Sequence, residues 1–240
     1  MLGFVARLGA VTLIAIGMSL ALTFGLAAFF GFTPDANTVI IAAACPFVIS
    51  LTLGAYLQRQ SDRLRLLNDD LRKAHARLSY LARHDGLTGV LNHAGFYDAI
   101  ESVRRRGGAL LLVDADHFKT VNDEHGHDAG DRALQALAQA MTAAAGPGAL
   151  LGRVGGEEFA IYLPANGAAE AAVIAERVRL AVAATVVELP AGAATTLTVS
   201  VGGATDDPAH PFAETFRDAD ACLYEAKRAG RNRSILPVAA

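Results

Sequence analysis

The sequence predicts a two-helix transmembrane hairpin, then a coiled-coil helix, then a soluble α/β sandwich of one domain built on a central sheet. Three observations predict it: charge is nearly absent from the first 58 residues, a heptad repeat follows, and helical and strand patterns alternate over the remainder. The 240 residues are 52% hydrophobic with a mean hydropathy of +0.32, too apolar for an ordinary soluble domain. Only Arg7 and Asp35 are charged before residue 59, and they cancel, so the net charge of −3 belongs to the soluble part. A weakly acidic domain lacks the basic footprint of a nonspecific nucleic-acid binder, and no nucleic-acid polymer is expected as a partner. Cys45 and Cys222 are far apart and form no CxxC pair, which argues against a disulfide framework or a thiolate zinc site.

Residues 8–34 and 36–58 are uncharged runs, each long enough to cross a bilayer core as a helix. A secretory signal peptide is the alternative for the first run. Its apolar stretch is too long for that, and a second run follows at once. The turn is expected around Thr33-Pro34-Asp35-Ala36-Asn37, too short to hold an external sensor domain. Arg7 flanks one end of the hairpin, Arg59, Arg63 and Arg65 flank the other, and the turn has no positive charge. The positive-inside rule then puts both termini and the soluble domain in the cytoplasm, anchored at the cell inner membrane. Gly17, Ala21 and Gly25 form a small-residue row suited to close helix packing, although Gly and Ala are common in membrane helices generally.

Over residues 57–83, Leu57, Leu64, Leu71 and Leu78 lie seven apart, each followed at three residues by Gln60, Leu67, Ala74 and Leu81. This a/d pattern favours a coiled coil, parallel because both chains of a homodimer leave the same membrane face. A single amphipathic helix is the alternative, and Gln60 and Ala74 weaken two layers. The domain boundaries expected are a hairpin at 1–58, a coiled-coil helix at 59–83 and the α/β domain at 84–240.

In the soluble part, Asn92 suits the cap of a helix reaching about Arg106, and 109–114 is an apolar run ending in a carboxylate, the mark of a buried central strand. Residues 128–145 form an Ala/Leu-rich helix. Strands are expected at 149–154 and 157–163 around Gly155-Gly156, whose composition suits a positive-φ hairpin turn. A helix at 168–185, a strand at 195–204 and a helix at 212–229 complete the set.

Four clusters suggest chemistry. Asp114-Ala115-Asp116 stands at the exit of the central strand, where an α/β sheet places ligands; loop-capping aspartates are the plain alternative. Glu157 and Glu158 follow the glycine pair, and if that hairpin lies beside Asp114, the carboxylates can share a hard cation such as Mg²⁺ together with substrate phosphates. Asn122 and Asp131 flank a Gly-containing bend and could face one pocket. A carboxylate accepts two parallel hydrogen bonds, matching the N1–H and N2–H₂ donors of guanine, whereas adenine N1 is an acceptor. Lys119 offers a cation for phosphate. His117, His125 and His127 lack a fourth zinc-ligand signal. Lys227 and Arg231 read as a phosphate clamp or, equally well, as cations complementing a helix C-terminus before Gly230.

Five segments in order, HDGLTGVLNHAGF (84–96), VDADHFKTVNDEHGHDAGD (113–131), RVGGEEF (153–159), VSVGGA (199–204) and DACLYEAKRAGRN (220–232), resemble the GGDEF family of diguanylate cyclases. The resemblance covers about residues 82–236 and implies a nucleotidyl-cyclase-like sandwich that joins two GTP into cyclic di-GMP, releasing two pyrophosphates, one GTP per domain of a homodimer. It further implies that Asp114, the Ala115 carbonyl and Glu157 bind Mg²⁺ with Glu158 close by, and that Glu157 helps activate the attacking 3′-hydroxyl. Asn122 and Asp131 would hold guanine, Lys119 would stabilise transition-state charge, His127 would line the nucleotide pocket, and Lys227 and Arg231 would grip the terminal phosphates. Two departures stand out. His93-Ala94 replaces the family's usual arginine pair, and Gly146 and Ala149 replace the Arg and Asp of its RxxD product-inhibition site. A catalytically silent nucleotide-binding module is disfavoured by the complete metal and guanine positions, and an ATP-using cyclase by Asn122 and Asp131.

Overall fold

The computed structural model describes residues 2–188 and 194–237. The chain divides into two units, Met1–His75 and Ala76–Ala240.

The first unit is helical. Helix α1 (Leu2–Phe30) and helix α2 (Ala36–Arg83) are joined by residues 31–35. Asp35 caps α2 by accepting the Thr38 N–H at 3.0 Å. Both helices are long and apolar enough to cross a membrane. Along α1 and the uncharged part of α2, large apolar side chains are exposed, Leu13 at 72%, Phe29 at 81% and Ile49 at 62% among them. A close fit within the pair is at Gly54, where an added Cβ would stand 2.8 Å from Leu8 Cδ1. Gly17 and Gly25 have nothing within 4 Å of an added Cβ, so the small-residue row takes no part in packing α1 on α2. Farther along α2, the heptad leucines Leu57, Leu64, Leu67, Leu71, Leu78 and Leu81 are all exposed.

The second unit is an α/β sandwich. Its elements are β1 (Leu91–Asn92), α3 (His93–Val103) with a 3₁₀ turn at Arg104–Arg106, β2 (Gly108–Ala115), α4 (Phe118–His125) and α5 (His127–Ala145), then β3 (Leu150–Arg153), β4 (Glu158–Pro164) and α6 (Ala168–Ala183). A small hairpin follows, β5 (Val186–Glu188) with β6 (Ala194–Thr196), and then β7 (Val199–Asp206), α7 (Phe212–Arg228) and β8 (Ser234–Ile235). The mixed sheet runs β1-β3-β4-β2-β7-β8, with β2 antiparallel to both neighbours. Every residue of β2 is buried, as its apolar run predicts. Alternate side chains feed two cores. Leu110 and Leu112 pack with Phe96, Ile100 and Leu223, while Leu111 and Val113 pack with Leu137, Met141 and Val178.

The structure departs from the predicted elements in three places. The strand expected at 195–204 is two strands, because the chain bends at Leu197–Thr198 and changes sheet. There, Thr198 binds Asp116 through both its carbonyl, at 2.9 Å, and its hydroxyl, at 2.7 Å. Residues 118–125 form a helix that the sequence does not predict, and the Gly-containing bend expected between Asn122 and Asp131 follows it at Gly126, with φ of 82°. The helix buries only Phe118 and Val121, too few apolar positions to show a period. Neither Gly155 nor Gly156 has positive φ. The connection between β3 and β4 is four residues, closed by Val154 and Gly155 N–H groups donating to the Glu158 carbonyl at 2.9 and 3.2 Å, so no mirror-image two-residue turn is needed.

At the sheet end away from Asp114, Asp206 closes a buried polar knot. It accepts from Arg104 Nε at 2.9 and 3.0 Å, from Tyr162 Oη at 2.8 Å and from Thr215 Oγ1 at 2.9 Å. The 3₁₀ turn, β4, β7 and α7 are joined there.

Candidate active site

The antiparallel register sets Asp114 opposite Glu158 on one side and Ser200 on the other. The acidic turn is therefore held beside the exit of β2. Main-chain bonding reinforces this, since Ala115 N donates to the Glu157 carbonyl at 3.3 Å. Gly155 lies under the Glu158 side chain, whose exposed carboxylate would have to shift to admit a Cβ there. Arg153 braces the turn from outside. Its Nε and Nη2 donate to the Gly156 carbonyl at 3.0 and 2.7 Å, and its Nη1 pairs with Asp85 at 3.1 Å. Asp85 also accepts the Thr88 amide and hydroxyl. Burial pushes the Asp85 carboxyl up, but the bonds from Thr88 and Arg153 outweigh it and hold the group below its ordinary value.

Asp114 is buried, 6% exposed, and its Oδ2 lies 2.8 Å from Lys227 Nζ on the last turn of α7. The approach of α7 depends on Gly202 of β7, where any Cβ would collide with the backbone of Ala219 and Leu223. Glu157 is half-buried. Burial first, then the charges of Asp114 and Glu158, raise its carboxyl above the ordinary value, with Lys227 opposing. The donors at this corner are all oxygens, a set that fits a hard divalent cation. Among the described residues no three His, Cys, Asp or Glu groups converge to hold an ion by themselves. A cation here would complete its shell from phosphate or water, as a substrate-borne one does.

Asn122, near the end of α4, packs against Gly130, the residue before Asp131 in the first turns of α5. Gly130 is buried beneath the Asn122 side chain, and an added Cβ would stand 3.0 Å from Asn122 Cγ and 3.1 Å from Phe118 Cζ. Asp131 is exposed beside this contact, and His127 is the exposed first residue of α5. Lys119 is exposed on the first turn of α4. Arg231 lies outside α7, three residues past its end, exposed and with φ of 61°. Its N–H donates to the Ala226 carbonyl at 3.0 Å. Lys227 and Arg231 therefore occupy different backbone settings, one helical and one in the turn beyond.

The family described as "Diguanylate cyclase, GGDEF domain" matches residues 82–233, more than half of the chain. The chain belongs to this GGDEF family. Diguanylate cyclase DgcM of Escherichia coli K12 is 38% identical over 171 residues, 68% of this chain but 40% of DgcM. The chain thus spans about two fifths of the length of that relative. Among solved structures, the coiled coil and GGDEF domain of DgcB from Caulobacter crescentus, in complex with c-di-GMP, superposes with a TM-score of 0.69 at 29% identity. It covers 75% of this chain and 99% of that one. Diguanylate cyclase SiaD of Pseudomonas aeruginosa, in complex with its activator SiaC, gives a TM-score of 0.62 at 29% identity over 97% of this chain and 88% of that one.

Sequence reasoning missed several GGDEF-domain residues that shape the site. Asp116 is not part of the acidic corner's free charge: Thr198 Oγ1, Ser200 Oγ and Asn232 N all donate to it, at 2.7, 2.7 and 3.0 Å. Gly130 had a legible signal, a glycine inside an otherwise Ala/Leu-rich helix, where it is costly unless close packing needs it. Gly202 and the Asp85–Arg153 pair had none, because both depend on which elements meet. Arg177, whose Nη2 lies 3.5 Å from where a Cβ on Gly146 would stand, and Arg179 on the same helix are engaged. Arg177 donates to the Ala144 and Ala145 carbonyls at the end of α5, and Arg179 binds Glu176 and Asn232.

Proposed function

We propose that this chain is a membrane-anchored diguanylate cyclase that condenses two GTP into cyclic di-GMP and two pyrophosphates in a Mg²⁺-dependent homodimer. Residues 1–58 form the membrane hairpin with both termini cytoplasmic, 59–83 the signalling coiled coil and 84–240 the catalytic domain. The observation that supports this best is the meeting of Asp114 and Glu157 at one corner, with Asn122 seated on Gly130 next to Asp131.

Asn122 and Asp131 hold the guanine, the carboxylate taking its two parallel donors. Lys119, Lys227 and Arg231 offset phosphate charge, and His127 lines the nucleotide pocket. Asp114, the Ala115 carbonyl and Glu157, with Glu158 close by, would hold Mg²⁺, which when bound would supply Lewis-acid neutralisation of the phosphates. Glu157, beside the position proposed for the metal, would help activate the attacking 3′-hydroxyl. Each 3′-oxygen forms a bond to the α-phosphorus of the other GTP, and pyrophosphate leaves. One nucleotide is held per domain, so two domains must face each other, and the exposed heptad leucines of α2 bring them together.

The test is a product assay on the full chain in detergent or liposomes. Cyclic di-GMP should form from GTP with Mg²⁺, and Glu157→Gln should lower turnover on the order of 10²-fold or more while the domain stays folded. Near-normal turnover by that variant overturns the assignment.

A further inference from the structure

Three consecutive residues after α7 have positive φ: Gly230 at 114°, Arg231 at 61° and Asn232 at 45°. Glycine takes this conformation freely, arginine does not, and asparagine only in part. Something must therefore hold the turn. The holder is a buried carboxylate 116 residues earlier in the sequence. Asp116 is 5% exposed and accepts the Asn232 backbone N–H at 3.0 Å. Its two oxygens are also fixed from β7 by Ser200 Oγ and from the preceding bend by Thr198 Oγ1, each at 2.7 Å. The other side of the turn is clamped by α6. Arg179 Nη1 donates to Asn232 Oδ1 at 2.6 Å and is itself held by Glu176, which accepts from Ser234 at 3.3 Å. Asn232 is thus bound at its main chain by the sheet and at its side chain by a helix, and Arg231 is the residue left exposed between these anchors and Gly230.

We infer that Asp116 is a positioning residue that sets the backbone of Arg231, and so its grip on the terminal phosphates of the nucleotide, without touching nucleotide or metal itself. The inference rests on the phosphate role proposed above for Arg231. It assigns different work to the two aspartates of Asp114-Ala115-Asp116: Asp114 faces Lys227 and the acidic turn, while Asp116 ties the Asn232 amide to Thr198 and Ser200.

The test is equilibrium binding of GTP and of GMP to the full chain and to Asp116→Asn, Arg231→Ala and the double variant, with thermal melts to check folding. GMP has no terminal phosphates, so a positioning role predicts a loss confined to GTP. Asp116→Asn places an amide in the pocket of three donors and should weaken GTP on the order of tenfold, with GMP unchanged. Arg231→Ala should do the same, and the double variant should be no worse than Arg231→Ala alone. If Asp116→Asn weakens GTP and GMP equally, or adds its full effect to Arg231→Ala, Asp116 is a general structural residue and the inference fails. If Arg231→Ala leaves GTP binding intact, the phosphate role itself fails, and the inference with it. Should Asp116→Asn not fold, Asn232→Val and Asn232→Gly decide, since the buried carboxylate is then untouched. The β-branched valine resists positive φ and should lose GTP affinity selectively, whereas glycine should retain it; equal behaviour of the two overturns the inference.

Discussion

Lys227 Nζ lies 2.8 Å from Asp114 Oδ2, with the carboxylate almost fully buried and the ammonium about one-third exposed. A side chain expected to meet the nucleotide's phosphates thus also neutralises the carboxylate expected to meet the metal. The two roles compete for one cation position. Replacing Lys227 with Ala should raise the KM for GTP, because a phosphate contact is lost, yet lower the Mg²⁺ concentration needed for half-maximal activity at saturating GTP. Steady-state kinetics over a Mg²⁺ series measures both. A rise in the Mg²⁺ requirement would show that the ion pair aids metal binding rather than opposing it.

The exposed leucines of α2 make a second expectation. Leu71 and Leu78 are 71% and 67% exposed and belong to the a positions of the heptad. Leu71→Asp with Leu78→Asp should remove the effective-concentration gain that a coil provides. Specific activity should then fall steeply as the protein is diluted, while the parent chain's stays flat. Equal dilution curves would mean that something other than the coil brings the two sites together.

Asp206 provides a pH expectation for stability. Burial alone would raise its carboxyl, but hydrogen bonds from Arg104, Tyr162 and Thr215 outweigh that and hold it below the ordinary carboxylate value. A carboxyl depressed in the folded state contributes stability that is fully present above its unfolded value, about 3.9, and lost as pH falls through the folded value. The soluble domain should therefore lose stability on acidification below about pH 4, and Asp206→Asn should flatten that loss. At neutral pH the same variant should cost on the order of 3 kcal/mol, since it leaves Arg104 without its partner. Urea titrations at pH 7 and pH 3 measure both terms. An unchanged pH slope would remove Asp206 from the acid response.

Product inhibition should be weak. Gly146 and Ala149 offer no charge to a phosphate, and nearby Arg177 and Arg179 already bind the end of α5, Glu176 and Asn232. Losing a bidentate arginine contact costs several kcal/mol of binding at such a site. Cyclic di-GMP titrated into a turnover assay should inhibit only at concentrations comparable to GTP. Tight noncompetitive inhibition would reveal an inhibitory site built from other residues.

Periodicity and composition were enough for the architecture. The uncharged runs, the heptads and the buried run ending at Asp114 are each properties of neighbouring residues, so the helices, the central strand and the family motifs could be read directly from the chain. Asp114, Glu157, Asn122 and Asp131 were legible for the same reason: their residue types sit beside turn or strand-end signals. What tertiary structure alone decided is which groups meet. Antiparallel register placed the acidic turn against the exit of β2, and Gly202 let α7 close until Lys227 reached Asp114. Gly130 let the Asn122 side chain close onto α5, one residue before Asp131. Asp116 and Asn232 are 116 residues apart, and no local pattern distinguishes an aspartate that binds metal from one that accepts three internal hydrogen bonds. Local propensity is written in short windows of sequence. The choice between a free carboxylate and a satisfied one depends on desolvation and on donors contributed by distant segments, which exist only once the sheet and its helices have packed.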